Sequence, residues 1–173
     1  MKKLTFALFV ASGAMMFVSC GPKMDTPENV GKSVLEAFQS QDAEKVGDLY
    51  VTKEDMTALF DEAGKVQMDS MQKAGFEAGK KMMVEGFDMN MTKEKTESFS
   101  ETNKEAKEAN INWDKVEFVR VESKEEADLG MKSLNGKVFF KTETGTEFYL
   151  RFSAVQIEDS WKIVSIRGIG QKK

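Results

Sequence analysis

Apolar residues recur along this chain in three different patterns. Fifteen residues from Leu4 to Val18 carry no charge and follow Lys2 and Lys3 directly. Further on, Val30, Val34, Leu35 and Phe38 recur at helical spacing and predict a helix with one apolar stripe. Thr26-Pro27-Glu28-Asn29 marks its start: Thr26 can cap, Pro27 suits the first turn, and Glu28 complements the helix dipole. A break at Ser40-Gln41-Asp42 leads to a second short helix, capped by Asp42 and carrying Ala43, Val46, Leu49 and Tyr50.

From about Thr52 to Asn110 the chain is polar and rich in methionine. Thr52-Lys53-Glu54-Asp55 is another capped start, with Met56, Leu59 and Phe60 behind it. Between Val66 and Met83 the apolar positions are Val66, Met68, Met71, Phe76, Met82 and Met83, with glycines at 64, 75, 79 and 86. Each interior glycine costs about 1 kcal/mol against alanine, so a weak, interrupted or frayed helix is expected. Its methionines suit either core filling on one helix face, the simpler reading, or an adaptable or copper(I)-binding surface. Thr92–Ala109 has Phe99 as its only large apolar residue, and it reads as a solvated helix or a flexible arm.

Ile111–Ile169 switches to a period of two. Lys115–Ser123 and Lys137–Thr142 read as strands, and Glu143-Thr144-Gly145-Thr146 as the hairpin turn after the second. Glu147–Ile157 alternates Phe148, Leu150, Phe152 and Ala154 against Glu147, Tyr149, Arg151, Ser153 and Val155. Glu158-Asp159-Ser160 turns the chain into a last strand, Trp161–Gly168. Asn135-Gly136 reads as a turn, and Lys124–Leu134 is either a loop or a short strand.

Composition narrows the chemistry. There is no histidine, which removes the commonest general base and the commonest transition-metal ligand. Cys20 is the only cysteine, so no internal disulfide can form and no thiolate metal site is expected. Formal charge is −4, an argument against nucleic acid and against an electrostatic hold on anionic lipid. The acidic run Glu122, Glu125, Glu126 and Asp128 lacks the spacing of a calcium loop and is expected to be a solvated loop. No cofactor and no metal are implied.

The beginning of the chain, MKKLTFALFVASGAMMFVSC, resembles a bacterial lipoprotein signal peptide, with Phe17-Val18-Ser19-Cys20 in place of the lipobox. The apolar run would span about 22 Å as a helix, short of the ~30 Å hydrocarbon core. The resemblance implies cleavage after residue 19, lipid attachment at Cys20, a tether over 20–27, and a domain over 28–169. Losing Lys2 and Lys3 lowers the formal charge to about −6, since no acid leaves with them. The address implied is the bacterial cell envelope, with the outer membrane facing the periplasm preferred.

Helices followed by antiparallel strands make an α+β order. Thr26–Phe38, Gln41-Asp-Ala-Glu-Lys-Val46 and Glu158-Asp-Ser-Trp-Lys-Ile-Val164 resemble the NTF2-like (cystatin-like) superfamily, and within it the exported DUF4878 or putative lumazine-binding domains. That resemblance implies N-terminal helices packed on a strongly curved antiparallel sheet, with a cone-shaped pocket between them. Asp48, Tyr50, Glu147, Tyr149, Arg151 and Trp161 are the candidates to line it. An acid–arginine pair there could bind a polar ligand, although core packing is the simpler role for Trp161 and a surface cross-strand pair for Glu147 and Arg151. The function expected is non-catalytic binding of a small apolar or amphipathic ligand or of an envelope protein. The alternative is an isomerase- or hydrolase-type enzyme using Asp48 or Glu147. A homodimer through the outer sheet face is also expected if Val164 and Ile166 are exposed.

Overall fold

The computed structural model describes residues 24–128 and 130–172. Its order is helices first, strands last: α1 (Pro27–Gln39), α2 (Ala43–Asp48), α3 (Lys53–Ala63) and α4 (Ser70–Glu108), a 3-10 turn at Trp113–Lys115, then β1 (Glu117–Asp128), β2 (Met131–Lys141), β3 (Glu147–Ile157) and β4 (Ser160–Gln171). The fold class is therefore α+β. The strands pair as neighbours in chain order, all antiparallel, in a sheet that is not strongly curled. None of the described helices is long and apolar enough to cross a membrane.

The helix starts follow the expected chemistry. The Thr26 hydroxyl accepts from Asn29 N–H, Asp42 accepts from Glu44 N–H, and Thr52 and Asp55 close a reciprocal capping box. The largest departure is α4. The weak, interrupted or frayed helix expected over Val66–Met83 and the solvated helix or flexible arm expected over Thr92–Ala109 are one continuous helix, Ser70–Glu108, of 39 residues and about 58 Å. A second capping box, Asp69 with Gln72, starts it. Exposed pairs such as Lys81–Glu85, Lys93–Glu97 and Lys104–Glu108 offset part of the cost of its glycines.

The second half of α4 is held by packing that polarity conceals. Ser98, Thr102 and Ala106 form a buried stripe at i, i+4, i+8, small enough for the helix to lie close to β4. Glu105 there accepts a hydrogen bond from Ile169 N–H at 2.6 Å. In the first half Phe76 and Phe87 pack in a cluster with α3 and with Val155 and Val164, while Met71, Met82, Met83 and Met89 are exposed instead of filling a core.

The sheet corrects two other expectations. Lys124 to Asp128 and Met131 to Leu134 are strand, in a long β1–β2 hairpin, with Glu122, Glu125, Glu126 and Asp128 on β1 and not in a loop. Asn135-Gly136 lies inside β2 and is no turn. Glycine is required at 136 because the Phe152 ring of β3 lies where a Cβ would project. By contrast, Gly145 takes a positive φ of 80° in the β2–β3 turn, as expected.

Alternation along β3 divides the sheet as the sequence implies. Phe148, Leu150, Phe152 and Ala154 are buried towards the helices. Phe38 of α1, Trp113, Phe140 and Phe148 form a continuous aromatic row with ring centroids 5.5–6.1 Å apart. The free edge of β4 is covered by main chain: Trp161 N–H donates to Met24 O, Ile163 N–H to Leu49 O, and Val51 N–H to Ile163 O, at 2.7–2.9 Å.

Candidate functional site

The space between helices and sheet, where the resemblance puts a pocket, is filled. Phe38, Tyr50, Leu134, Val138, Phe140, Leu150 and Ile163 are all at most 1 % exposed. Among the described residues the buried polar side chains are Ser33, Ser98 and Thr102, none of which ionises near neutral pH. Tyr50 donates or accepts at 2.7 Å with the Ser98 hydroxyl, and burial pushes its phenol up to about 12. It is a satisfied core tyrosine. Trp161 is likewise buried, as a core side chain.

Asp48 lies outside that core. It is exposed at the end of α2, on a surface groove of about 510 Å³ shared with Met24, Glu36, Lys45 and Lys162. Cys20 falls outside the described residues. No group of three or more Asp, Glu, His or Cys with metal-binding geometry is present among the described residues.

Glu147, Tyr149 and Arg151, expected to face inward, sit on the other face of the sheet. The physical reason is the period of two: once Phe148, Leu150 and Phe152 meet the helices, the intervening residues must point away from them. The structure therefore divides the six candidates into three places instead of bringing them together. The exposure of Val164 and Ile166, the condition set for a dimer through the outer face, is not met. A β-bulge at Val164 shifts the phase of β4, so that Ile163 and Ile166 are both buried and Val164 is half-buried beside the α3–α4 cluster.

The outer face has its own construction. Arg120 lies over the Phe139 ring, 3.8 Å from its centroid, and donates to Glu147 at 2.6 Å. Glu147 also meets Lys172 at 3.2 Å, and its side chain is only 15 % exposed. The hydrogen bond from Arg120 holds the Glu147 carboxyl below its ordinary value, and Glu147 in turn raises Arg120. Phe139 packs on Tyr149 at 5.4 Å, and the Lys137 ammonium lies 5.0 Å from the Tyr149 ring.

Next to this cluster one register row runs Glu122, Lys137, Arg151 and Arg167, one acid followed by three cations. Lys137 is the cross-strand partner of Arg151, and Arg151 of Arg167. The row beyond contains Lys124, Asn135, Ser153 and Ser165, and the two serine hydroxyls are 2.7 Å apart. Together the rows line an open groove of about 400 Å³. Its one carboxylate, Glu122, is held by Arg120, and Lys124 by Glu126. Arg151 and Arg167 have no acidic partner among the described residues.

Sequence reasoning found Arg151 but missed Lys137 and Arg167. The three are 14 and 16 positions apart in the chain, and only the register of two hairpins aligns them. The usable signal was alternation, which puts Arg151 and Ser153 on the polar face of β3. No protein-family model matches this chain, and no curated protein or solved structure matches it either.

Proposed function

We propose that this protein is a lipid-anchored, non-catalytic binding domain of the bacterial cell envelope. The observation that carries the binding half of this reading is the filled interior: with aromatic and aliphatic side chains occupying the helix–sheet space, any ligand must be met on the surface. An acid–base enzyme of the pocket type would need an isolated carboxylate in a dry cavity, and Asp48 and Glu147 are instead solvent-facing and ion-paired, respectively.

The envelope half rests on the N-terminal pattern ending at Cys20. Met24 is buried, and its carbonyl accepts from Trp161 N–H. Three residues lie between it and Cys20, and the four Cα–Cα steps reach about 14 Å when fully extended. A lipid at Cys20 would hold the domain against the bilayer, and the outer membrane facing the periplasm is the preferred address. Two or more acyl chains would be needed for stable anchoring.

The fold-family reading belongs to the same proposal. The helices-then-meander order and the terminal Trp161 strand fit an NTF2-like, DUF4878-type domain whose cone is closed by its own side chains. The test is metabolic labelling with radioactive palmitate in the wild type and in Cys20→Ser, with fractionation of the envelope. Label in the wild type alone, and release of the variant from the membrane fraction, are the expected results. An unlabelled wild type, or a variant held equally firmly, overturns the anchoring.

A further inference from the structure

We infer that the Lys137–Arg151–Arg167 groove on the outer sheet face is a binding site for a phosphate group, free or carried on a lipid headgroup. The inference rests on the reading of the protein as a binding domain and names its site and ligand chemistry.

The chain is acidic overall, with 29 acids against 25 bases, yet register puts three cations side by side on adjacent strands. Directly opposed like charges destabilise a sheet. Glu122 faces Lys137 across the β1–β2 ladder, but its ion pair is with Arg120; Glu126 is taken by Lys124, and Glu147 by Arg120 and Lys172. The positive charge of the groove is left for an external anion.

The donors along the groove suit an oxyanion. Two guanidinium groups supply forked N–H donors, and Lys137 supplies an ammonium held in place over Tyr149. Ser153 and Ser165, hydrogen-bonded to each other, offer one further hydroxyl proton on the same floor. Cross-strand neighbours are about 5 Å apart, so several donors can converge on one tetrahedral oxyanion. Gly136 contributes bare backbone to the floor, since its neighbour Phe152 projects to the helix side.

A single phosphate suits this groove better than a long polyanion does. The groove, about 400 Å³, is confined to one patch of the outer sheet face. A nucleic acid would extend well beyond the patch and meet the net negative charge of the rest of the molecule. A lone phosphate stays inside the patch, within a Debye length of about 8–10 Å.

The experiment is titration of the full chain in detergent with inorganic phosphate, read by calorimetry and by thermal unfolding against chloride at matched ionic strength. Phosphate is expected to bind and to raise the unfolding midpoint. Arg151→Gln and Arg167→Gln are each expected to weaken binding about tenfold, and the double variant to abolish it. Both side chains are exposed, so circular dichroism should be unchanged, and Lys93→Gln on α4 serves as a control that keeps full binding.

A second arm dopes the micelles with phosphatidylglycerol or with phosphatidylcholine. Competition with phosphate by phosphatidylglycerol alone assigns the site to a headgroup; no competition assigns it to free phosphate. Absence of any phosphate effect beyond chloride, or equal binding by the double variant, overturns the inference. Neither result touches palmitate labelling, and an unlabelled chain that still binds phosphate through Arg151 would sink only the envelope address.

Discussion

Phe139 and Phe140 are neighbours in β2, both are buried, and they belong to different environments. Phe140 stacks between Trp113 and Phe148 in the helix-covered core. Phe139 is on the opposite face, with the Arg120 guanidinium over its ring and the Tyr149 ring beside it. One face excludes water by interlocking side chains; the other does so locally, under charged groups that stay solvated. The inner face therefore carries stability and the outer face is free to carry recognition.

The largest expected effect tests that division directly. Phe140→Ala should lose roughly 3–5 kcal/mol, the range for deleting a well-packed aromatic and leaving a cavity. Phe139→Ala should lose about 2 kcal/mol, because the arginine stem and Tyr149 can collapse over the gap. Urea unfolding of both variants checks this, and equal losses would show that the outer aromatic cluster is a second core.

The two faces should also fail at opposite ends of the pH scale. Tyr50 titrates at about 12 when folded and at about 10 when unfolded. Between those values the unfolded chain has lost the proton and the folded one has kept it, so stability falls as pH rises through that window. The loss attributable to Tyr50 is about 3 kcal/mol at most. Tyr50→Phe removes this alkaline fall, while costing about 1 kcal/mol at neutral pH through the lost bond to Ser98. On the outer face Glu147 is held low by Arg120, so its contribution is present at neutral pH and lost as pH drops below the ordinary carboxylate range. Glu147→Gln should flatten the acid limb and leave the alkaline limb unchanged. Denaturant midpoints across pH for the wild type and both variants measure the two limbs separately.

Gly136→Ala probes how tightly the inner face is closed. The added methyl would meet the Phe152 ring, and overpacking of this kind costs roughly 1–3 kcal/mol. Gly136→Ala combined with Phe152→Leu should recover part of the loss, since the ring is the obstruction. Failure of that rescue would locate the constraint in the strand backbone.

Legibility in the sequence follows the same division. The inner face was readable because period-two alternation and capping are local: Phe148, Leu150, Phe152, Thr26, Asp42 and Thr52 all have the expected roles. Which face of β3 meets the helices is also fixed by burying its phenylalanines, so the inward reading of Glu147, Tyr149 and Arg151 conflicted with the alternation itself. The groove was unreadable because it depends on register between strands, and the Val164 bulge changes that register without a local signal. The continuity of α4 was concealed for a related reason. Its anchoring stripe, Ser98-Thr102-Ala106, is small and polar, so hydropathy assigns to solvent a face that is in the core.

The smallest effect on stability is the most informative for function. Arg151 is exposed and opposed by Lys137 on one side and Arg167 on the other. If its role were structural, Arg151→Gln would destabilise the sheet. If the row is held for an external anion, the substitution relieves like-charge repulsion, and the unliganded protein should become more stable by up to about 0.5 kcal/mol at low salt. Added chloride should erase the gain, because screening weakens the repulsion in the wild type as well. Thermal unfolding at low and high salt, without phosphate, reads this difference. A loss of stability at low salt would mean that Arg151 supports the sheet, and the contrast between a stabilising face and a recognising face would have to be redrawn around it.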